Sequence, residues 1–138
     1  PERMAADGTV LRPVERGDVE AVAARLRALG VEAVAVSFLN SYCEPRHEEE
    51  AAQALRAALP GRYITAGTEL TREWYEYERT ATASANAFVG PEVLSYVRNL
   101  ERDLQRRGFT GSLYLMGSNG GVLTVDRTCR QRTPLQSL

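Results

Sequence analysis

The chain has 138 residues, 17 basic against 18 acidic, for a net charge of −1. A near-neutral balance supplies no basic field for nucleic acid or anionic lipid, and no apolar run approaches the roughly 20 residues of a membrane span. Every basic residue is arginine, so neither a Walker-type phosphate lysine nor a Schiff-base lysine can come from these residues.

In chain order, Asp7-Gly8 reads as a turn and Thr9-Val10-Leu11 as a short strand ended by Pro13. A helix follows, with Asp18 as N-cap, Val19, Val22, Ala23, Leu26 and Leu29 on one face, and Gly30 at the left-handed stop. Residues 31–39 are short, apolar and β-branched and predict a central strand, with Asn40, Ser41, Tyr42 and Cys43 in the loop at its carboxyl end. Pro45 opens a second helix at its first position, where a missing N–H is harmless. Glu48, Glu49 and Glu50 suit the dipole of its first turns, and Ala51, Ala52, Leu55 and Leu59 form its buried stripe. Pro60-Gly61 stops it, and Tyr63-Ile64-Thr65 is the next strand. This α-β-α-β order predicts parallel strands joined by right-handed crossovers.

The second half carries helical spacing at Tyr77, Ala81, Ala85 and Phe88, then a new helix started by Pro91 with Val93, Val97, Leu100 and Leu104 on one face. Asp103 and Arg107 are spaced as an i,i+4 pair, and Gly108 ends the helix. Residues 112–116 predict a strand, whose apolar run from Leu113 suits a buried parallel one. Val122-Leu123 is a short strand, Thr124 or Asp126 caps a short helix, and a last strand follows Pro134. The fold class is α/β: a mostly parallel sheet with flanking helices. Pro1 in place of Met, and an end at Ser137-Leu138 that closes no element, are read as marks of an internal fragment.

Ser118-Asn119-Gly120-Gly121 is the first candidate ligand loop. Two glycines permit close backbone approach, hydroxyl and amide groups stand beside them, and ligands of open α/β sheets gather at strand carboxyl ends. A Gly-Gly turn into the next strand explains the same residues, and from this loop alone it is the stronger reading. His47, the single histidine, would have to serve any Ser–His–carboxylate triad, yet its place in a first helical turn predicts a solvated surface side chain. One His and two distant cysteines, Cys43 and Cys129, give no metal site and predict two reduced thiols in a cytoplasmic protein. Arg72, Glu73, Glu76, Glu78 and Arg79 are dense, with Arg72–Glu76 at i,i+4 and Glu76–Arg79 at i,i+3. A salt-bridged solvent face is the simpler reading of that cluster. The alternative aims Arg79 or Glu78 into a cleft beside Trp74, Tyr75 and Tyr77. No Asp-x-Gly-Gly-Thr, G-x-G-x-x-G or G-x-x-x-x-G-K loop occurs.

Three blocks nevertheless resemble the hydantoinase A/oxoprolinase family: Ala35-Val36-Ser37-Phe38-Leu39-Asn40-Ser41-Tyr42 followed by Pro45-Arg46-His47-Glu48; Tyr77-Glu78-Arg79-Thr80 followed by Asn86-Ala87-Phe88-Val89-Gly90-Pro91; and Met116-Gly117-Ser118-Asn119-Gly120-Gly121. The resemblance runs from about Val10 to the end; Gly117 stands where the family usually has Gln, and Asn40 where His is common. It implies part of an actin/hexokinase-like ATPase fold, with ATP and Mg²⁺ as cofactors of a longer parent. It also implies an ATP-dependent hydrolase that opens cyclic amides such as hydantoin or oxoproline. The parent's phosphate loops would lie outside this chain, so the fragment is expected to be inactive alone and to bind no nucleotide usefully. Residues 1–75 would end the family's N-terminal domain and 76–138 begin the central one. Ser118, Asn119, Gly120, Gly121, Arg79 and Glu78 are the substrate- or nucleotide-facing candidates; the catalytic residues stay unassigned. Expected partners are the parent's remaining lobes and a second hydantoinase-type subunit, not nucleic acid or membrane. The alternatives are a fragment of a ketone carboxylase subunit and a non-catalytic α/β binding or interaction module.

Overall fold

A computed structural model of the chain describes residues 1–116 and 121–124. The order is β1 (Arg3–Met4), β2 (Val10–Arg12), α1 (Arg16–Ala28), β3 (Ala33–Val36), α2 (Arg46–Ala58), β4 (Tyr63–Ala66), the single turn α3 (Gly67–Leu70), α4 (Glu76–Arg106), β5 (Tyr114–Met116) and β6 (Val122–Thr124). At its centre β3 and β4 pair in parallel, from Ala33 opposite Tyr63 to Val36 opposite Ala66. Helices α1 and α2 cover one face of this pair and α4 the other.

The core forms where β-branched strand residues meet the small and apolar stripe of the helices. Ala51, Ala52, Leu55 and Leu59 of the α2 region pack on Val36, Ile64 and Ala66, and Val19 and Ala23 of α1 close the cluster. Each fully buried Leu or Ile contributes about 1.5–3 kcal/mol relative to exposure. Helix α1 begins at Arg16 behind Glu15, so Asp18 lies in its first turn instead of capping it, and Val22 and Leu29 stay outside the buried stripe. Gly30 adopts φ +66°, the left-handed stop that its position predicts. Pro45 stands one residue before α2, as its N-cap.

Three expectations change. First, among the described residues the sheets are mixed: β3–β4 is parallel, while β1–β2 and β5–β6 are antiparallel. Strand β5 is not a buried parallel strand. It returns through β6 as a hairpin, and hairpin partners are antiparallel; Tyr114 and Met116 face outward. Second, Pro91 does not start a helix. It lies inside the 31-residue α4. Arg79, Ala83, Asn86, Ala87, Gly90, Leu94 and Val97 are buried on both sides of it in one unbroken phase. Packing of that face outweighs the single backbone bond Pro removes. Gly90 is part of the fit, since a Cβ there would stand 2.3 Å from Tyr63 Cζ. Third, the Tyr77, Ala81, Ala85 and Phe88 stripe points to solvent, with Phe88 85% exposed. Asp103 pairs with Arg106 at 3.5 Å, three residues on, and not with Arg107, which is the C-cap residue.

No described helix is long and apolar enough to cross a membrane. The expected helix from Asp126, the strand after Pro134 and Cys129 lie outside the described residues; Thr124 belongs to β6.

Candidate functional site

The carboxyl ends of β3 and β4 open onto two connections, and one carboxylate joins them. Asn40, at φ +60°, turns the chain sharply after β3, and Asn tolerates that left-handed geometry better than most residues. The chain then enters α2, whose first turn carries Glu48 back beneath the loop. Glu48 Oε2 accepts the Phe38 N–H at 2.8 Å and the Ser41 hydroxyl at 2.6 Å, and Oε1 accepts the Thr68 N–H at 2.7 Å. A single side chain therefore satisfies backbone groups of the loop after β3 and of the turn after β4.

Arg79, in the first turn of α4, completes the cluster. Its Nη2 donates to the Phe38 carbonyl and to Glu76 Oε2, each at 2.5 Å, while Nη1 donates to Ser41 Oγ and lies 3.5 Å from Glu48 Oε2. Glu76 Oε1 in turn accepts the Asn40 N–H at 2.7 Å, and Asn40 Nδ2 donates to the Met4 carbonyl at 2.8 Å. Glu48 and Arg79 are both fully buried. A buried charge is tolerated only when paired and hydrogen-bonded, and here the pair is held by loop backbone as well as by its partner. Two buried polar atoms, Arg79 Nε and Thr68 Oγ1, lack a partner among the described residues. Above the pair, Ser37 Oγ and Thr80 Oγ1 share a hydrogen bond at 2.8 Å on the exposed side. A second polar group lies farther along α4, where buried Asn86 Nδ2 donates to Tyr63 Oη at 3.0 Å and Thr65 Oγ1 at 3.1 Å.

Chemically, the Glu48–Arg79 pair is a positioning device. The carboxylate and both guanidinium amino groups are engaged by loop backbone and neighbouring side chains. What it ties together is the loop at Phe38 and Ser41, the turn at Thr68 and, through Glu76, the Asn40 backbone, all at the strand ends, where α/β sheets place ligands. No group of three or more His, Cys, Asp or Glu among the described residues could hold a metal ion.

The sequence candidates separate accordingly. Arg79 is buried, and Glu78, one residue earlier, is exposed. Glu76–Arg79 forms the i,i+3 ion pair that its spacing predicts, but as part of a buried network, not a solvent face. Arg72 reaches Glu49 at 3.8 Å and not Glu76, because it precedes the helix. Gly121 is exposed at the start of the β6 region, and Ser118, Asn119 and Gly120 lie outside the described residues. His47 is buried, not solvated: Nδ1 sits 2.9 Å from Glu2 Oε2, and both side chains are at most 10% exposed. Glu2 of the N-terminal segment reaches the first turn of α2 and covers His47, which a helix-turn position alone does not reveal. Reasoning from sequence also missed Glu48, Ser41 and Asn86. A signal exists for Arg79 and Asn86: both continue the stripe of Ala83, Ala87, Gly90, Leu94 and Val97, and polar residues inside an otherwise small and apolar stripe are buried with it.

Comparison with known proteins gives two matches to family models in chain order. Residues 1–59 match the hydantoinase/oxoprolinase N-terminal region, and residues 79–136 match the hydantoinase/oxoprolinase model. The chain is 32% identical over 120 residues to caprolactamase subunit alpha of Pseudomonas jessenii, an alignment covering 87% of this chain and 17% of that protein. It is 26% identical over 137 residues to the acetophenone carboxylase gamma subunit of Aromatoleum aromaticum, covering 96% of this chain and 19% of that subunit. The crystal structure of the ATP-dependent caprolactamase from Pseudomonas jessenii superposes with a TM-score of 0.82 at 31% identity, over 88% of this chain and 18% of that one. The chain thus spans less than a fifth of the length of each.

Proposed function

The chain belongs to the hydantoinase/oxoprolinase family, and from that premise we propose that it is a segment of an ATP-dependent subunit that opens cyclic amides. The observation that carries this reading is the ordered match of two family regions, with α4 leaving the Glu48–Arg79 cluster at the start of the second. The caprolactamase, an ATP-dependent relative that the chain resembles at 31% identity, supports the cyclic-amide class. The proposed domain seam falls at residues 75–76, just before α4, within an actin/hexokinase-like ATPase fold. ATP and Mg²⁺ would serve the parent. The described residues do not fit either: they hold no metal-binding group, and the sequence has no lysine and no Asp-x-Gly-Gly-Thr loop. The phosphate loops are therefore assigned to parent residues beyond this chain, which alone would be inactive. The remaining lobes and a second hydantoinase-type subunit would be its partners.

Within the parent, Ser118, Asn119, Gly120 and Gly121 would face substrate or nucleotide, and Arg79 would act by positioning the loops at the strand ends. Glu78, exposed beside it, would line the same cleft. The acetophenone carboxylase match keeps a ketone carboxylase subunit as the second reading. ATP hydrolysis by the longer polypeptide, with its partner subunit, tests both. The expected result is stimulation by a lactam, hydantoin or 5-oxoproline. Stimulation only by a ketone with bicarbonate selects the second reading, and no ATP turnover with either class rejects both.

A further inference from the structure

Three arginines line one cavity at the amino end of β4. The cavity, of about 560 Å³, lies between the turn at Gly61 and Arg62 and the C-terminal half of α4. Pro91, Leu94, Ser95, Arg98 and Arg102 recur at intervals of three and four, so they share the helix face that borders it. Tyr63 and Leu94, both buried, form the apolar part of the lining. Arg62 is half-buried, whereas Arg98 and Arg102 are exposed.

Elsewhere in the chain Arg16, Arg56, Arg72, Arg79 and Arg106 each meet a carboxylate. The cavity is different. Among the described residues its lining sets three guanidinium groups against one carboxylate, Glu32, an excess of two positive charges. Arg98 makes no hydrogen bond or ion pair among the described residues. Arg102 Nη2 donates to Asn99 Oδ1, a neutral acceptor that orients the guanidinium without neutralising it. Arg98 and Arg102 are like charges at i,i+4, and such pairs repel. The helix dipole accounts for a cation at Arg106 in the last turn, but its effect fades within that turn and does not reach Arg98.

We propose that this cavity binds a small polyanion, a molecule carrying two or more carboxylate or phosphate groups. Guanidinium groups grip either headgroup through paired N–H bonds, and a single monoanion would leave one of the two excess charges uncompensated. The volume falls within the roughly 300–1,000 Å³ of small-ligand sites. Arg98 follows Arg79 by 19 residues in the same helix, about 28 Å at 1.5 Å per residue, so the site is separate from the strand-end cluster. It does not depend on the parent's reaction.

Calorimetric titration of the 138-residue chain and of the longer polypeptide, with citrate and separately with inorganic pyrophosphate, tests the site. One probe carries carboxylates and the other phosphates, so the two arms identify the headgroup. At least one should bind both proteins with a Kd below about 1 mM at moderate salt. Arg98→Ala and Arg102→Ala should each weaken that binding about tenfold or more, and Arg98→Lys, which keeps the charge and loses the fork, should weaken it less. Glu32→Gln should tighten it by about threefold. Melting temperatures without ligand should stay within about a degree for all four variants, since all three positions are exposed. A Kd above about 1 mM for both probes, or an affinity unchanged in Arg98→Ala and Arg102→Ala, overturns the proposal. Arg98-dependent binding that the 138-residue chain shows and the longer polypeptide lacks gives the cavity to an acidic segment packed there, and overturns it too. Arg98-dependent binding in a longer polypeptide that turns over no ATP removes the proposed reaction and leaves the polyanion site standing.

Discussion

Replacing Glu48 by Ala takes three acceptor bonds and the counter-charge of Arg79 out of a fully buried site. The Phe38 and Thr68 N–H groups lose partners at 2.8 and 2.7 Å, and Ser41 Oγ loses one at 2.6 Å. Each buried donor left unsatisfied is worth about 1–3 kcal/mol, and breaking a buried ion pair about 3–5 kcal/mol. These losses overlap, because Arg79 keeps Glu76 and the Phe38 carbonyl. The expected total is therefore about 3–5 kcal/mol, not the sum. For a domain of this size an unfolding entropy of about 0.3 kcal/mol/K converts that into a fall in melting temperature of roughly 10–17 °C. Thermal and urea unfolding followed by circular dichroism measure it. Arg79→Met belongs in the same experiment, since removing both charges should be less damaging than the two single losses added together. A loss below about 1 kcal/mol for Glu48→Ala, or strict additivity of the pair, refutes the argument that this cluster holds the strand-end loops.

Other outcomes follow from single contacts. Glu78→Ala, at an exposed position, should shift stability by less than about 0.5 kcal/mol in the same assay. Gly90→Ala should destabilise by about 1–3 kcal/mol, because its Cβ meets the Tyr63 ring, and Tyr63→Leu in the same background should recover part of that loss. Asn119→Ala in the longer enzyme should lower kcat/KM by roughly tenfold with little change in melting temperature if Asn119 contacts substrate, and a melting loss with unchanged turnover would contradict the assignment. The Thr9 N–H donated to Asp7 holds that carboxyl below its ordinary range. A depressed native pKa contributes stability above the unfolded value near 3.9 and loses it as pH falls through the native pKa, so the difference between wild type and Asp7→Ala should shrink below about pH 4.

The elements around β3 and β4 were legible because their signals are local. The α2 stripe, Gly30 and Gly108, and the apolar strands each depend on neighbours within a few residues. The burial of Glu48 and His47 was not legible, since it depends on partners up to 31 residues away for Glu48 and 45 for His47. A charged residue near a helix start looks the same whether water or a distant carboxylate receives it. Pro91 misled for a related reason: its local rule breaks helices, and only the unbroken stripe through Gly90 and Leu94 shows that packing prevails. The outward hairpin β5–β6 was hidden by an apolar run that fits either strand type.

Helix α4 has a mechanical consequence. Thirty-one residues at 1.5 Å each make a rod of about 46 Å. Its first turn is clamped through Arg79 to the loop after β3, and its far end leads toward the β5–β6 hairpin. Burial from Ala83 to Val97 ties the rod to the sheet along most of its length, so helix and sheet move as one lever: a joint tilt of about 5° about the Arg79 end carries the Arg106 end by on the order of 4 Å. The one weak link is Pro91, where a backbone bond is missing and bending is easiest. Small adjustments of Asn40 and Phe38 would reach the hairpin as a sweep if the rod stays stiff, and would be absorbed near its midpoint if it flexes.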